Sequence, residues 1–372
     1  MVKIIKITLI FVCSVFLFQG ISFADINLKL GKNIDELRLK GDLRVRFERH
    51  DEDKDANDAA AENNPKDRFR TRFRLGMFWK NPEDWEIGAG FCTGGSSSSS
   101  TNDTWSDDNS YFDSGDIRLD YAYAKHKMNA FTLIAGQQKN PFKTSWLLWD
   151  SDIRPAGFTA QVDIANVFGT FGAYDVIQNG NDIGMMFALQ GGASIKAGNI
   201  SMLGTLTGYV FNSHVPKPNK DYDYQIIDLY GTINIELDKK VSLSPYLQVF
   251  NNTGADGKEG EGNSGGDLDP SSENWGWVLG VDGKIFDGSF KLAYAQIGAD
   301  SCVPDLKNAD FGSKLTDGVN VQGVMVAGGY KITKHCGVEA TAYLYEPLED
   351  VVKGTKDNRN MQLYHLDLKY KF

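Results

Sequence analysis

Leu37-Arg38-Leu39-Lys40-Gly41-Asp42-Leu43-Arg44-Val45-Arg46-Phe47-Glu48 alternates strictly between apolar or small residues and charged ones. That period of two belongs to a β-strand, whose successive side chains leave opposite faces. The next segment repeats it: Phe69, Thr71, Phe73, Leu75, Met77 and Trp79 stand against Arg68, Arg70, Arg72 and Arg74. One face is apolar and the other carries several charges in a row.

Reading outward from this pair, sixteen such segments can be drawn, at 37–48, 68–80, 84–93, 115–125, 130–138, 156–163, 165–174, 183–191, 199–211, 223–236, 241–251, 274–284, 288–298, 319–332, 336–346 and 360–372. The alternation is weakest between 156 and 211, where Gly and Met blur it. Most segments have the length of the ~9–11 residues that a tilted strand needs to cross hydrocarbon. The mean strand of a soluble protein is only ~5–6 residues. Connections alternate in length: 49–67, 94–114, 252–273, 299–318 and 347–359 are long, while 81–83, 126–129, 285–287 and 333–335 are short. Outer-membrane barrels have short periplasmic turns, long extracellular loops and an even strand count. A soluble sandwich also alternates apolar-in and polar-out, but has no reason to collect its long loops at one end.

Composition agrees. Glycine contributes 39 of 372 residues and aromatics 12%, in a chain that is nevertheless polar on average. Such aromatic content and β-branched patterning exclude disorder. Beyond the N-terminus no stretch reaches the ~18–20 consecutive apolar residues of a spanning helix. The fold expected is therefore all-β, a transmembrane antiparallel β-barrel of about sixteen strands.

Residues 1–24 read as a cleaved signal peptide, with Lys3 and Lys6 basic, Leu9 to Phe18 apolar, and Ser22-Phe23-Ala24 before the cut. A short periplasmic segment, 25–36, and the barrel, 37–372, follow. Removing the leader leaves 37 basic and 49 acidic residues, a net charge of −12. Cys92, Cys302 and Cys336 remain, an odd set without disulfide or metal-ligand spacing. Trp79, Trp85 and Tyr370 fall at one expected membrane boundary, and Trp275 and Trp277 at the other, as aromatic girdles do. The alternating last segment ends in Phe372, resembling the signal read by the outer-membrane assembly machinery.

Several stretches resemble one family, the putative porins of Gram-negative bacteria. Leu39–Glu48 and Asp67–Gly76 look like its first hairpin, and Ile117–Tyr123 like its fourth strand. Ala135–Phe142 followed by Leu148–Pro155 is similar to its most recognisable block. The likeness extends over nearly the whole mature chain and is densest from 37 to 165. Ala156-Gly157 departs from the acidic residue and Gly that the family often has there. The resemblance implies an outer-membrane porin for small hydrophilic solutes and ions, but no particular substrate. Partners then expected are outer-membrane lipid and lipopolysaccharide, the barrel assembly machinery and, as in many sixteen-stranded porins, a homotrimer. A solute-specific channel and a barrel-anchored adhesin or receptor are the alternatives.

Nothing points to catalysis, a cofactor, a metal site or nucleic acid. Of His50, His126, His214, His335 and His365, only His365 falls on a predicted lumen face, and none sits in a nucleophile motif. Asp150-Ser-Asp152 reads either as the start of a cation site or as a solvated or Arg-paired loop. Around it the block 139–155 is aromatic. With Asn140, Pro141, Phe142, Trp149, Asp150 and Asp152 it either folds inward as a constriction or packs on a neighbouring subunit, since such residues are costly on an exposed tip. Acidic clusters at 51–53, 107–108 and 256–269 either solvate the outer loops or bridge lipopolysaccharide through cations.

Selectivity follows from side chains inside the lumen, because charges on outer loops are screened within about 8 Å at physiological salt. The first two strands place Arg38, Lys40, Arg44, Arg46, Arg68, Arg70, Arg72 and Arg74 inward, with only Asp42 and Glu48 opposing them on those strands. The segment 223–251 offers a neutral wall of Tyr230, Thr232, Asn234, Ser242, Ser244, Tyr246 and Gln248. A basic strip facing a polar wall predicts a mild anion preference, unless Asp116, Asp120 and Asp367 pair with the strip and cancel it. For the fold itself, the purified mature protein is expected to show a β-type circular dichroism spectrum and heat-modifiable migration on gels; a helical spectrum would refute the reading.

Overall fold

The computed structural model describes residues 35–53, 66–107, 111, 114–263, 268–313, 318–349, 351–352, 355–356 and 360–372. The predicted signal peptide and most of the segment 25–36 lie outside them. Sixteen long strands are present among the described residues, each coinciding with one alternating segment. They are β1 (Glu36–Asp53), β2 (Lys66–Lys80), β3 (Trp85–Thr93), β4 (Ile117–Met128), β5 (Phe131–Gln137) and β6 (Ala156–Ile164). Next come β7 (Val167–Asn179), β8 (Asp182–Ala197), β9 (Ile200–Phe211), β10 (Gln225–Asp238) and β11 (Val241–Asn252). The last are β12 (Trp275–Ile285), β13 (Gly288–Ile297), β14 (Val321–Lys331), β15 (Cys336–Pro347) and β16 (Asn360–Lys371).

Each strand pairs antiparallel with its neighbours in sequence, and β1 pairs with both β2 and β16, which closes the sheet. At the seam Gly41 N donates to Phe372 O at 2.9 Å and Phe372 N to Gly41 O at 3.0 Å. The Phe372 ring lies on Phe73, centroids 6.2 Å apart. Closure leaves no open edge, the condition for a sheet whose outer face meets hydrocarbon.

Burial is inverted relative to a water-soluble domain. On β10 Leu229 is 56% exposed while its neighbour Asp228 is fully buried; on β16 Leu366 is 49% exposed and Asp367 is 1% exposed. Apolar residues thus point out and polar residues in, along the parity read from the first strand. Trp79, Trp85, Trp105 and Trp275 all stand on the exposed surface.

One end of the barrel has only short turns, at 81–84, 129–130, 165–166, 198–199, 239–240, 286–287 and 332–335. Four of these place a residue other than glycine at positive φ: Asp84, Asn129, Ala165 and Phe286, at 61°, 52°, 53° and 54°. Gly198 adopts 61° freely, whereas Ala165 and Phe286 do so with a Cβ, at about 1–2 kcal/mol each. The other end carries the long loops, with one exception: β7 and β8 are joined there by Gly180-Asn181 alone. A second difference concerns β1. It continues to Asp53 because β16 goes on pairing with it as far as Asn360, so the acidic run 51–53 belongs to the wall and not to a loop.

Position in the wall sets the cost of a charge on the lipid face. Leu206→Arg, at the middle of β9, is expected to destabilise the barrel by ~2–4 kcal/mol in a lipid-bilayer unfolding titration. Leu237→Arg, at the rim end of β10, is expected to cost ~1 kcal/mol or less; equal costs would place the membrane wrongly.

Candidate functional site

The inner face of β1 and β2 is the charged strip. Register sets Arg44 opposite Arg72 and Arg46 opposite Arg70, like charges that repel across a ladder. Carboxylates relieve them. Asp42 accepts from Arg72 and from Arg74 Nε, both at 2.8 Å. Glu48 accepts from Arg68 Nε at 2.6 Å and from Arg70 at 3.2 Å. From β16, Asp367 takes Arg46 in a two-pronged bond, Nε–Oδ1 2.7 Å and Nη2–Oδ2 3.0 Å, the strong geometry for this pair. It also lies 3.8 Å from Arg44, which donates to Asn102. Arg38 lies nearer the short turns, 3.6 Å from Glu86 and over the Phe78 ring. Lys40 is exposed.

Of the three acids whose pairing would cancel this strip, only Asp367 makes an ion pair with it. Asp120 instead binds Arg154 at 3.0 Å, with both side chains almost wholly buried. Asp116 sits in a cleft near Arg68 and Arg70, and its amide donates to Asp103. Two further carboxylates come from loops, where periodicity says nothing: Asp152 at 3.5 Å from Arg74, and Asp310 at 3.9 Å from Arg46. Five carboxylates therefore stand among the six arginines 44, 46, 68, 70, 72 and 74.

The segment 138–155 between β5 and β6 folds into the barrel. Phe142 packs edge-on against Tyr174 of β7 and Tyr209 of β9, with centroids 6.2 and 5.6 Å away, and Trp149 lies 6.2 Å from Tyr209. Asn140 Oδ1 accepts from the Phe142 amide, beside Pro141. Polar side chains of the wall hold the loop backbone: Gln190 of β8 accepts from Lys143 N and donates to Lys143 O. Gln248 of β11 bonds Thr144 and Ser145, and Trp146 Nε1 donates to Tyr246 OH at 2.9 Å. Across the lumen Asp152 accepts from Thr101 and faces Arg74, so the Arg-paired alternative describes it.

A second insertion, 298–313, meets this loop from the opposite part of the wall, without any signal in the sequence pattern. Trp146 meets Phe311 edge-on at 5.6 Å, Asp150 N donates to Leu306 O, and Ala309 N donates to Asp150 Oδ2. Lys307 is fully enclosed and donates to the carbonyls of Asn308 and Phe311; burial presses its pKa down to about 8. Burial likewise pushes Asp150 up to about 6, against the pull of the Asp152 and Ala309 amides. For Asp152 burial acts the same way, but Arg72 and Arg74 outweigh it and hold the carboxyl below its usual range.

Two further residues face inward. His50 lies on the inner face because β1 is longer than expected, and its Nε2 meets Ser313 Oγ at 3.1 Å. Asp228 interrupts the neutral wall, where Gln248 donates to it at 2.8 Å. Parity alone would have found both. Tyr230, Thr232, Asn234, Ser242, Ser244 and Tyr246 share the predicted face, with Ser244 donating to Asn234. His365 faces inward beside Arg46 and Glu48.

This geometry has relatives. Residues 50–212 match the model of the family described as "Putative porin". The chain is similar in fold to OprB of Pseudomonas putida, at 13% identity, covering 95% of this chain and 100% of that one with a TM-score of 0.58. It is similar also to a mutant of Rhodopseudomonas blastica porin, at 9% identity, covering 90% and 100% with a TM-score of 0.51. Among curated proteins none matches. The fold is that of a porin barrel, and residues 50–212 carry the sequence signature of the putative porins.

The raised Asp150 pKa has a thermodynamic consequence. Between the unfolded value near 3.8 and about 6 the folded protein holds the extra proton, so this group's contribution makes stability fall as pH rises through that window. Asp150→Asn is expected to remove that contribution: thermal midpoints of variant and parent should diverge from pH 4 to pH 6 in the variant's favour, then run parallel above pH 7. Parallel curves throughout would contradict the burial.

Proposed function

We propose that the protein is an outer-membrane porin that lets small hydrophilic solutes and ions diffuse through its lumen. The observation that carries this is the inverted barrel itself: an apolar outer face around an interior of paired arginines and carboxylates, into which a loop is folded. A sixteen-stranded barrel is wide enough to hold water inside, not only side chains. The alternative of an adhesin anchored by a barrel is less favoured, because 138–155 and 298–313 pack inward, where only a permeating solute would meet them.

The same reading takes the chain as non-enzymatic. Ser313 shares its hydroxyl between His50 and Tyr345, a structural bond between an inserted loop and the wall. The predicted leader would carry the chain to the periplasm, the assembly machinery would read the last strand, and lipopolysaccharide would surround the long loops. A homotrimer accords with the strand number. We take loop 138–155 as the constriction, and Arg38, Lys40 and the six arginines as pore-lining.

With nearly every arginine compensated, selectivity is expected to be weak and toward anions. In a potassium chloride gradient the reversal potential should lie slightly on the anion side, and Arg72→Ala or Arg46→Ala should move it toward cations. A strongly cation-selective pore indifferent to both changes would defeat the assignment.

A further inference from the structure

We propose that the cleft over Arg68 and Arg70, at the long-loop end of the lumen, is an entry site for a small solute carrying one anionic group and several hydroxyls, the chemistry of a sugar acid. The place of this site on a transport path rests on the porin reading; the site itself rests on its own geometry. The cleft encloses about 610 Å³, within the ~300–1,000 Å³ typical of small-molecule sites. Arg68 and Arg70 line it, together with Ser96, Ser97, Ser100 and Thr104.

Three features make it a built site. The first is the supply of donors. Arg70 gives one terminal nitrogen to Glu48 and the other to Ser100 Oγ at 3.2 Å, which fixes its guanidinium beneath the cleft. Arg68 uses Nε and Nη2 on Glu48, which leaves Nη1 for an anion. The second is the shelf of hydroxyls. Arg118 of β4 donates to the carbonyls of Gly95, Ser97 and Ser100, so the serine run is clamped by its backbone while its side chains line the cleft. A free run of five serines would be flexible; this one is held in advance, which lowers the entropy cost of binding. The third is the rim. Asp103, Asp107 and Asp116 also line the cleft; carboxylates there accept hydroxyls, and their repulsion confines the solute's anionic group to the Arg68 end.

The cleft also leads somewhere. Arg68, Arg70, Arg72 and Arg74 all face inward on β2, two residues or about 6.7 Å apart. A bound anion therefore has the next guanidinium within one short step.

Gluconate is the probe, with glucose and acetate as controls, titrated calorimetrically into the full mature protein in detergent. Gluconate should bind saturably, and at least about tenfold more tightly than either control, since each control lacks one half of the recognition. Arg70→Ala should weaken it by about tenfold. Because that change disturbs Glu48 and can harm folding, Ser97→Tyr is the second variant: it fills the exposed shelf without touching the strip and should abolish binding. Gluconate binding no tighter than acetate, or unaltered by Ser97→Tyr, overturns the inference. Bilayer recordings separate the two readings: a channel that conducts chloride but is never interrupted by gluconate refutes the entry site alone, whereas absence of conductance refutes the porin while calorimetry still decides the cleft.

Discussion

Every backbone amide and carbonyl at membrane depth must find its partner within the protein, because hydrocarbon supplies none. The seam between β1 and β16 meets that demand, and the rest of the molecule follows from it. A closed sheet has an outside that must be apolar and an inside free to be polar. Side chains of alternating parity then sort themselves with no further instruction, which is why Leu229 and Asp228, adjacent in the chain, lie in opposite media.

The interior so created has an electrostatic problem of its own. Guanidiniums on neighbouring strands stand opposite one another, and burial would make each unpaired charge expensive. Five carboxylates from four elements solve it: β1 contributes Asp42 and Glu48, β16 Asp367, and the two inserted loops Asp152 and Asp310. The strip is thus a ladder of pairs and not a stripe of one sign. Charge-paired loops are also anchored loops, so these ion pairs also help to hold the two inserted loops in place.

Aromatic packing does the rest of the anchoring. Phe142, Trp146 and Trp149 lie against tyrosines of β7, β9, β11 and β15, with backbone groups of the loop held by Gln190 and Gln248. Segment 138–155 is therefore seated on one side by apolar contact and hydrogen bonds, and tethered on the other by charge. Opening it would require exposing rings to water within the lumen, a cost that scales with the area uncovered.

The sequence by itself determined the strands, their faces and the end at which most long loops gather, because a period of two is a local property that each segment carries independently. It placed Arg44, Arg46, Arg70 and Arg72 inside for the same reason, and parity extended a few residues further would have included His50 and Asp228. Only the tertiary structure decided which acids meet those arginines. Asp120, on the right face, turned to Arg154, while Asp152 and Asp310 arrived from loops that have no period to read. The inward course of 138–155 was one of two open alternatives, and that of 298–313 was not visible at all. A loop's path is set by the shape and chemistry of the cavity that receives it, and that cavity exists only once all sixteen strands have closed.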